Sequence, residues 1–208
     1  RYLLAMAQLI EVQVALGKTD AASTNADSFL ASDERNPLAR YSKALVEVQQ
    51  DNLASAEQRL EGVIADTPQY WPAHRLLGAI NIRQEQFGQA TQYLRAAVTN
   101  NPTDAAARLQ LAELYIRVGD IDAARSLMEG SQVAANDELF SAFVGGASRR
   151  IGLSDQASQY FDQSEQAKPR DLQEIVRLSS LYTAAGEFER AIRLLQSSTA
   201  QDGQSQEV

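Results

Sequence analysis

Cysteine is absent from the 208 residues, which excludes disulfides, thiolate zinc sites, iron–sulfur clusters and thiol catalysis. A single histidine excludes any site that needs two. Aromatic residues are scarce at 7%, while alanine and leucine carry most of the 44% apolar content. That balance favours helices over a β-sandwich. Long hydrophobic runs are also missing. The apolar stretch from Leu3 to Leu16 is interrupted by Gln8, Glu11 and Gln13. Nothing elsewhere approaches the ~18 continuous apolar residues of a membrane span, so no direct membrane insertion is expected. Positive charge is outnumbered: 19 Lys and Arg against 27 Asp and Glu leave a formal charge of −8. An acidic chain argues against nucleic acid as the partner. No Gly-x-Ser-x-Gly, kinase or zinc-protease signature is present, so the chain reads as a non-enzyme without cofactor or metal. It begins at Arg1 rather than Met, which suggests a segment of a longer protein.

What the sequence does have is a repeat. Ala22, Ala56, Ala90, Ala124, Ala157 and Ala191 are separated by 34, 34, 34, 33 and 34 residues. A mostly apolar residue lies four positions after each: Ala26, Leu60, Leu94, Met128, Phe161 and Leu195. Five positions before each lies a turn former or its replacement: Gly17, Asp51, Glu85, Gly119, Gly152 and Gly186. Pro37, Pro68, Pro102 and Pro169 recur near the unit ends, where a helix can stop and the next begin. Each unit reads as two helices. In the fourth, Leu111, Leu114, Tyr115 and Val118 mark one amphipathic face, Gly119-Asp120 breaks it, and Ile121, Ala124, Leu127 and Met128 mark a second.

The period and the residues Leu77-Gly78, Phe87, Ala90, Leu94 and Pro102, with Leu111-Ala112, Tyr115, Gly119 and Ala124, resemble the tetratricopeptide repeat (TPR) family. The resemblance implies an all-α fold: a right-handed superhelix, or α-solenoid, of about six helix-turn-helix repeats. The expected units are 3–36, 37–70, 71–104, 105–137, 138–171 and 172–200 of a single solenoid, with a disordered polar tail at 201–208. Trp71 is expected just before the first helix of its unit, with His74 at the family's Trp position. The small alanines let helix backbones approach, and stacking of neighbouring units supplies the stability that one hairpin lacks.

Other features have structural readings. His74 has no second histidine and no carboxylate pair nearby, so it reads as a structural or surface residue. Gly145-Gly146 lacks any phosphate-loop pattern and reads as a close helix approach. Tyr70-Trp71 reads as junction packing. Glu57/Glu61 and Asp120/Asp122 read as a solvated face.

In such arrays the first helix of each unit lines a concave groove. The resemblance carries the groove positions onto Tyr41 and Leu45; Arg75 and Arg83; Glu113 and Arg117; Arg149 and Arg150; and Arg177. Arg83, Arg117 and Arg150 occupy equivalent sites. Arginine suits a carboxylate-bearing partner, because its planar fork binds carboxylates bidentately. The expected function is therefore a protein-interaction scaffold holding a protein or peptide partner, an acidic segment in particular. Pairing of these arginines with Glu113 or other local acids is the competing reading. The Lys-and-Asn carboxylate clamp of chaperone-binding members is missing: Ala7, Glu11, Tyr41 and Leu45 stand at its positions. With only three lysines, the chain most resembles bacterial arrays of the envelope and polysaccharide-export type, including the TPR lipoproteins of PEP-CTERM/exosortase loci. That implies a periplasmic or envelope setting, with a cytoplasmic one still open. A structural spacer, or an accessory domain of an enzyme outside this segment, are the alternatives. Apolar residues on the end helices imply a homodimer or end-to-end pair formed through a terminal helix.

Overall fold

The computed structural model describes residues 2–129, 137–166 and 171–205. They form helices α1 (Tyr2–Ala15), α2 (Thr19–Ser32), α3 (Pro37–Gln49), α4 (Leu53–Asp66), α5 (Trp71–Arg83) and α6 (Phe87–Asn100). These are followed by α7 (Ala105–Val118), α8 (Ile121–Met128), α9 (Asp137–Arg150), α10 (Ser154–Gln166), α11 (Leu172–Ala184) and α12 (Phe188–Ser205). There is no strand among the described residues. The all-α helix-turn-helix repeat is therefore the observed fold.

Two local expectations change. Trp71 opens α5 instead of preceding it, because Pro72 sits in the first turn, where its missing N–H costs nothing. The segment expected as a tail from Gln201 continues α12 to Ser205; its polarity does not stop a helix when no proline intervenes, and 206–208 lie outside the described residues. The chain comprises two compact units, Arg1–Leu111 and Ala112–Val208, each described by itself below. A repeat array has contacts only between neighbours, so no single core has to span it.

Each hairpin turn is made the same way. A residue one or two positions past the end of the first helix adopts positive φ in all six: Gly17 (68°), Asp51 (63°), Glu85 (60°), Gly119 (84°), Gly152 (84°) and Gly186 (77°). The next N–H then reaches back five residues: Lys18 to Gln13, Asn52 to Glu47, Gln86 to Asn81, Asp120 to Tyr115, Leu153 to Ser148 and Glu187 to Tyr182, all at 2.8–2.9 Å. This is a Schellman closure, which satisfies carbonyls that a helix end would leave bare. A Cβ built on Gly17, Gly119, Gly152 or Gly186 meets nothing within 4 Å. Glycine is required there by dihedral, not by space. Asp51 and Glu85 hold the same dihedral at the strain cost of a side chain.

Helix crossings set the second constraint. The alanine column is buried throughout: Ala22, Ala56, Ala90 and Ala124 are fully buried, and Ala157 and Ala191 are nearly so. A second small column lies on the first helices. A Cβ on Gly78 would stand 2.6 Å from Leu94, and one on Gly145 would stand 2.8 Å from the Phe161 ring. So small residues on α5 and α9 receive large ones from α6 and α10. The close approach expected at Gly145 is what the structure shows. In the first hairpin the sizes are exchanged. The equivalent positions are Ile10 and Ala26, both fully buried in one cluster. The pair keeps its volume and swaps its partners.

A third column is polar and buried or half-buried, at the carbonyls that close the turns. Glu47 is held by Arg59, whose Nε and Nη2 donate at 2.8–3.2 Å. Asn81 donates to Leu77 O and Glu57. The Tyr182 hydroxyl meets Ser164 Oγ at 2.6 Å. Gln13 accepts from Asn25 at 2.9 Å. Each ties a first helix to a second helix, and each partner removes the cost of burying a polar group.

Two outcomes follow in urea melts. Glu85→Gly should stabilise the chain by roughly 0.5–1 kcal/mol, because it relieves the left-handed strain at an exposed site. Gly78→Leu should destabilise by about 1–3 kcal/mol through overpacking against Leu94. Adding Leu94→Ala should return part of that loss, since the double variant reproduces the size order of Ile10 and Ala26. No recovery would show that the two crossings are not equivalent.

Candidate functional site

The outward positions of the first helices carry the residues expected to meet a partner, and each compact unit presents its own set. In the unit Arg1–Leu111, Tyr41 is not at the surface. It is 5% exposed and packs edge-on against Tyr70 with ring centroids 5.8 Å apart. Its role is in the core, which corrects the expectation of a partner contact. Burial pushes its phenol up, and the neighbouring Arg75 guanidinium offsets part of that. Leu45 is half-buried against the same cluster.

Arg75 extends from α5 to Asp104, with Nε 3.6 Å from Oδ2, and its guanidinium lies 5.8 Å from the Trp71 ring centroid. Asp104 Oδ1 meanwhile accepts from the N–H groups of Ala106 and Ala107 at 3.0 and 3.3 Å, capping α7. One carboxylate thus starts a helix and orients an arginine. Trp71 is joined to Arg75, and Tyr70 to Tyr41, so the junction-packing reading of this pair describes what is seen. Arg83, at the end of α5, pairs with Asp51 at 2.7 Å and keeps 48% of its side chain exposed. His74 donates from Nε2 to the Pro68 carbonyl at 2.8 Å, a contact that requires a proton on Nε2. It pins α5 to the preceding turn.

In the unit Ala112–Val208, Glu113 of α7 accepts from Arg150 of α9, whose Nε and Nη2 lie 2.8 and 2.6 Å from the same oxygen. Arg149 pairs with Glu187, which also receives Arg190 Nε at 3.3 Å. Arg149 and Arg150 keep 49% and 47% of their side chains exposed. Arg117 is half-buried in the last turn of α7. Arg177 is half-buried on α11 and forms no ion pair with the described residues. Beside Arg149 lies a cavity of about 100 Å³, lined also by Ser154, Ala157, Ser158, Phe161 and Glu187. Ser154 stands where Leu53, Phe87 and Ile121 open the earlier second helices, so a small residue leaves room that a large one fills elsewhere. The space suits one side-chain tip. Cofactor sites are several times larger.

The structure therefore places three of the six expected arginines, Arg83, Arg149 and Arg150, at the surface and pairs each of them. Arg83, Arg149 and Arg150 each meet a carboxylate 32, 38 and 37 residues away, about one repeat along the chain. The competing reading, local pairing, holds for these three. Sequence reasoning missed Asp51, Asp104 and Glu187 as partners. Their signal was a carboxylate about one period from an arginine. Among the described residues, no group of three or more His, Asp or Glu is placed to hold a metal ion. No described helix is long and apolar enough to cross a membrane.

Burial also raises the phenols of Tyr70, Tyr93 and Tyr182. With Tyr41, four of the seven tyrosines resist ionisation. The neutral form is favoured in the folded chain, so above about pH 10 the unfolded chain binds fewer protons and stability falls as pH rises. Tyrosinate absorbance of the native chain should lag behind that in urea as pH rises, because Tyr41, Tyr70, Tyr93 and Tyr182 hold their protons longer when buried. Uniform titration without urea would contradict this burial.

Family models described as tetratricopeptide repeat match residues 8–70, 41–105, 81–144 and 175–207. No curated protein matches the chain. Among solved structures, a thermophilic TPR protein of Thermus thermophilus is 23% identical, with a TM-score of 0.58 over 87% of this chain and 99% of that one. The pilF protein of Pseudomonas aeruginosa is 17% identical, with a TM-score of 0.59 over 99% of this chain and 97% of that one. A chain of the Naa15/Naa10 complex bound to HypK-THB is 14% identical, with a TM-score of 0.62 over 94% of this chain and 31% of that one. At these identities the likeness is one of fold.

Proposed function

The chain belongs to the tetratricopeptide repeat family, and from that premise we propose that it is a protein-interaction scaffold whose first-helix face holds a carboxylate-bearing partner segment. The role is binding, not catalysis. Support comes from the end of α9. There Arg149 and Arg150 are half exposed, and Arg149 forms one wall of a cavity sized for a single side chain. Their present carboxylate partners do not preclude this. Exposed ion pairs contribute about 0–1 kcal/mol, so a partner's carboxylate can replace Glu113 or Glu187 at little cost. A side chain seated over Phe161 would add the apolar contact that fixes the segment's register. Arg83, equally exposed on α5, gives the N-terminal unit a contact of the same kind. The Naa15/Naa10 complex is bound to HypK-THB; for this chain it illustrates the mode of use only.

The test uses a fluorescent glutamate-rich peptide with one aromatic residue, and its glutamine counterpart. The acidic peptide should bind with an affinity that falls as salt rises. Arg149→Ala with Arg150→Ala should weaken it roughly ten-fold while changing the urea midpoint little. Ser158→Phe, which fills the cavity, should weaken both peptides. Equal binding of the acidic and glutamine peptides, or no effect of the double variant, would return these arginines to a purely structural role.

A further inference from the structure

Arg149 and Arg150 are neighbours on α9 and nearly equal in exposure, but their pairing differs in a way that decides which of them a partner reaches. A guanidinium binds a carboxylate best through the edge formed by Nε and Nη2, whose N–H groups point the same way. In Arg150 that edge is taken: Nε and Nη2 lie 2.8 and 2.6 Å from one oxygen of Glu113. In Arg149 it is open. Arg149 donates to Glu187 from Nη1, and its Nε and Nη2 make no hydrogen bond to the described residues. The open edge sits on a side chain that is 49% exposed.

The two carboxylates differ as well. Glu187 Oε2 also receives Arg190 Nε at 3.3 Å, and Arg190 is tied in turn to Asp162 and Glu165 at 2.8 and 2.7 Å. Glu187 is therefore held with or without Arg149, and its charge is already shared. Glu113 has no second cation among the described residues, and its side chain is 22% exposed. Releasing Arg150 would leave a half-buried carboxylate without a partner. The repeat does not require an acid at that register, since Leu45 holds it in α3. Arg149 also differs from Arg150 in lining the cavity beside α10. Phe161, in the same lining, is fixed by edge-on contact with Tyr182 at 6.0 Å and by the Arg190 guanidinium 5.7 Å from its ring centroid. A carboxylate on the open edge of Arg149 thus lies next to a rigid apolar seat.

We propose that Arg149 alone of this pair takes the partner's carboxylate, and that Glu113 withholds Arg150, so that the site accepts one carboxylate beside one apolar side chain. The proposal rests on the carboxylate-partner reading and narrows it. Glu113 then sets specificity without touching the partner: it keeps the second fork closed to a second acid.

The experiment titrates the full 208-residue chain with the glutamate-rich peptide carrying one aromatic residue and with its glutamine counterpart. Arg149→Ala alone should weaken the acidic peptide roughly ten-fold. Arg149→Lys should stay several-fold weaker than the unmodified chain, because a point charge replaces a fork. Arg150→Ala should change the affinity by less than about two-fold. Glu113→Gln should tighten the acidic peptide roughly three- to five-fold and leave the glutamine peptide unchanged. Adding Arg150→Ala to Glu113→Gln should erase that gain. This double variant strands no carboxylate, so it gives the answer even where Arg150→Ala alone folds poorly. Far-UV circular dichroism should match across the set, since no helix crossing is altered. A loss in Arg150→Ala as large as that in Arg149→Ala would overturn the proposal. So would a Glu113→Gln gain that is absent or that survives Arg150→Ala. In each of those cases the unmodified chain still prefers the acidic peptide, and the partner reading stands. An unmodified chain with no acidic preference would overturn both.

Discussion

The fold depends on one steric condition: where two helices of a hairpin cross, one side must be small. Gly78 beneath Leu94 and Gly145 beneath Phe161 state it most sharply, because even a methyl group would collide. Close approach brings the rest of each helix into van der Waals range, and many small dispersion gains follow. The exchanged pair, Ile10 and Ala26, shows that the condition concerns summed volume and not which helix carries the large residue. With the crossing fixed, the turn has little freedom. Its closure by a left-handed residue recurs six times, even where Asp51 and Glu85 must bear the strain.

Polar groups then follow the geometry. In the last turn of each first helix one position faces the partner helix, so a side chain there is buried or half-buried whatever its chemistry. Gln13, Glu47, Asn81 and Tyr182 occupy that place and each finds a side-chain partner on a second helix. The Glu47–Arg59 pair is the costliest of these to disturb, since removing Arg59 would strand a carboxylate that is 6% exposed. Ser148 holds the same place in α9 and is the exception: it is fully buried and its Oγ has no hydrogen-bond partner.

Much of this was legible in the sequence because repetition multiplies a weak signal. One alanine says little about a crossing; six in phase specify it. The paired helices and the turn column could be read for the same reason. The candidate site was less legible. Tyr41 and Arg83 both sit on first helices, but Tyr70 and Arg75 cover the former and leave the latter open, and that depends on side chains one unit away. The arginine row was visible as spacing. Its neutralisation by Asp51, Glu113 and Glu187 was not, because pairing turns on rotamer reach across a junction. Asp104 shows the same limit: its cap on α7 is a local pattern, whereas its approach to Arg75 is tertiary.

The span of the ion pairs limits how far a change of charge reaches. The widest of those described above bridges 38 positions, the separation of Arg149 and Glu187. A charge altered in one hairpin is felt by its immediate neighbour and no further. A charge change on the exposed face therefore costs folding little, whereas a bulkier residue at a glycine or alanine crossing disturbs the packing of its whole hairpin.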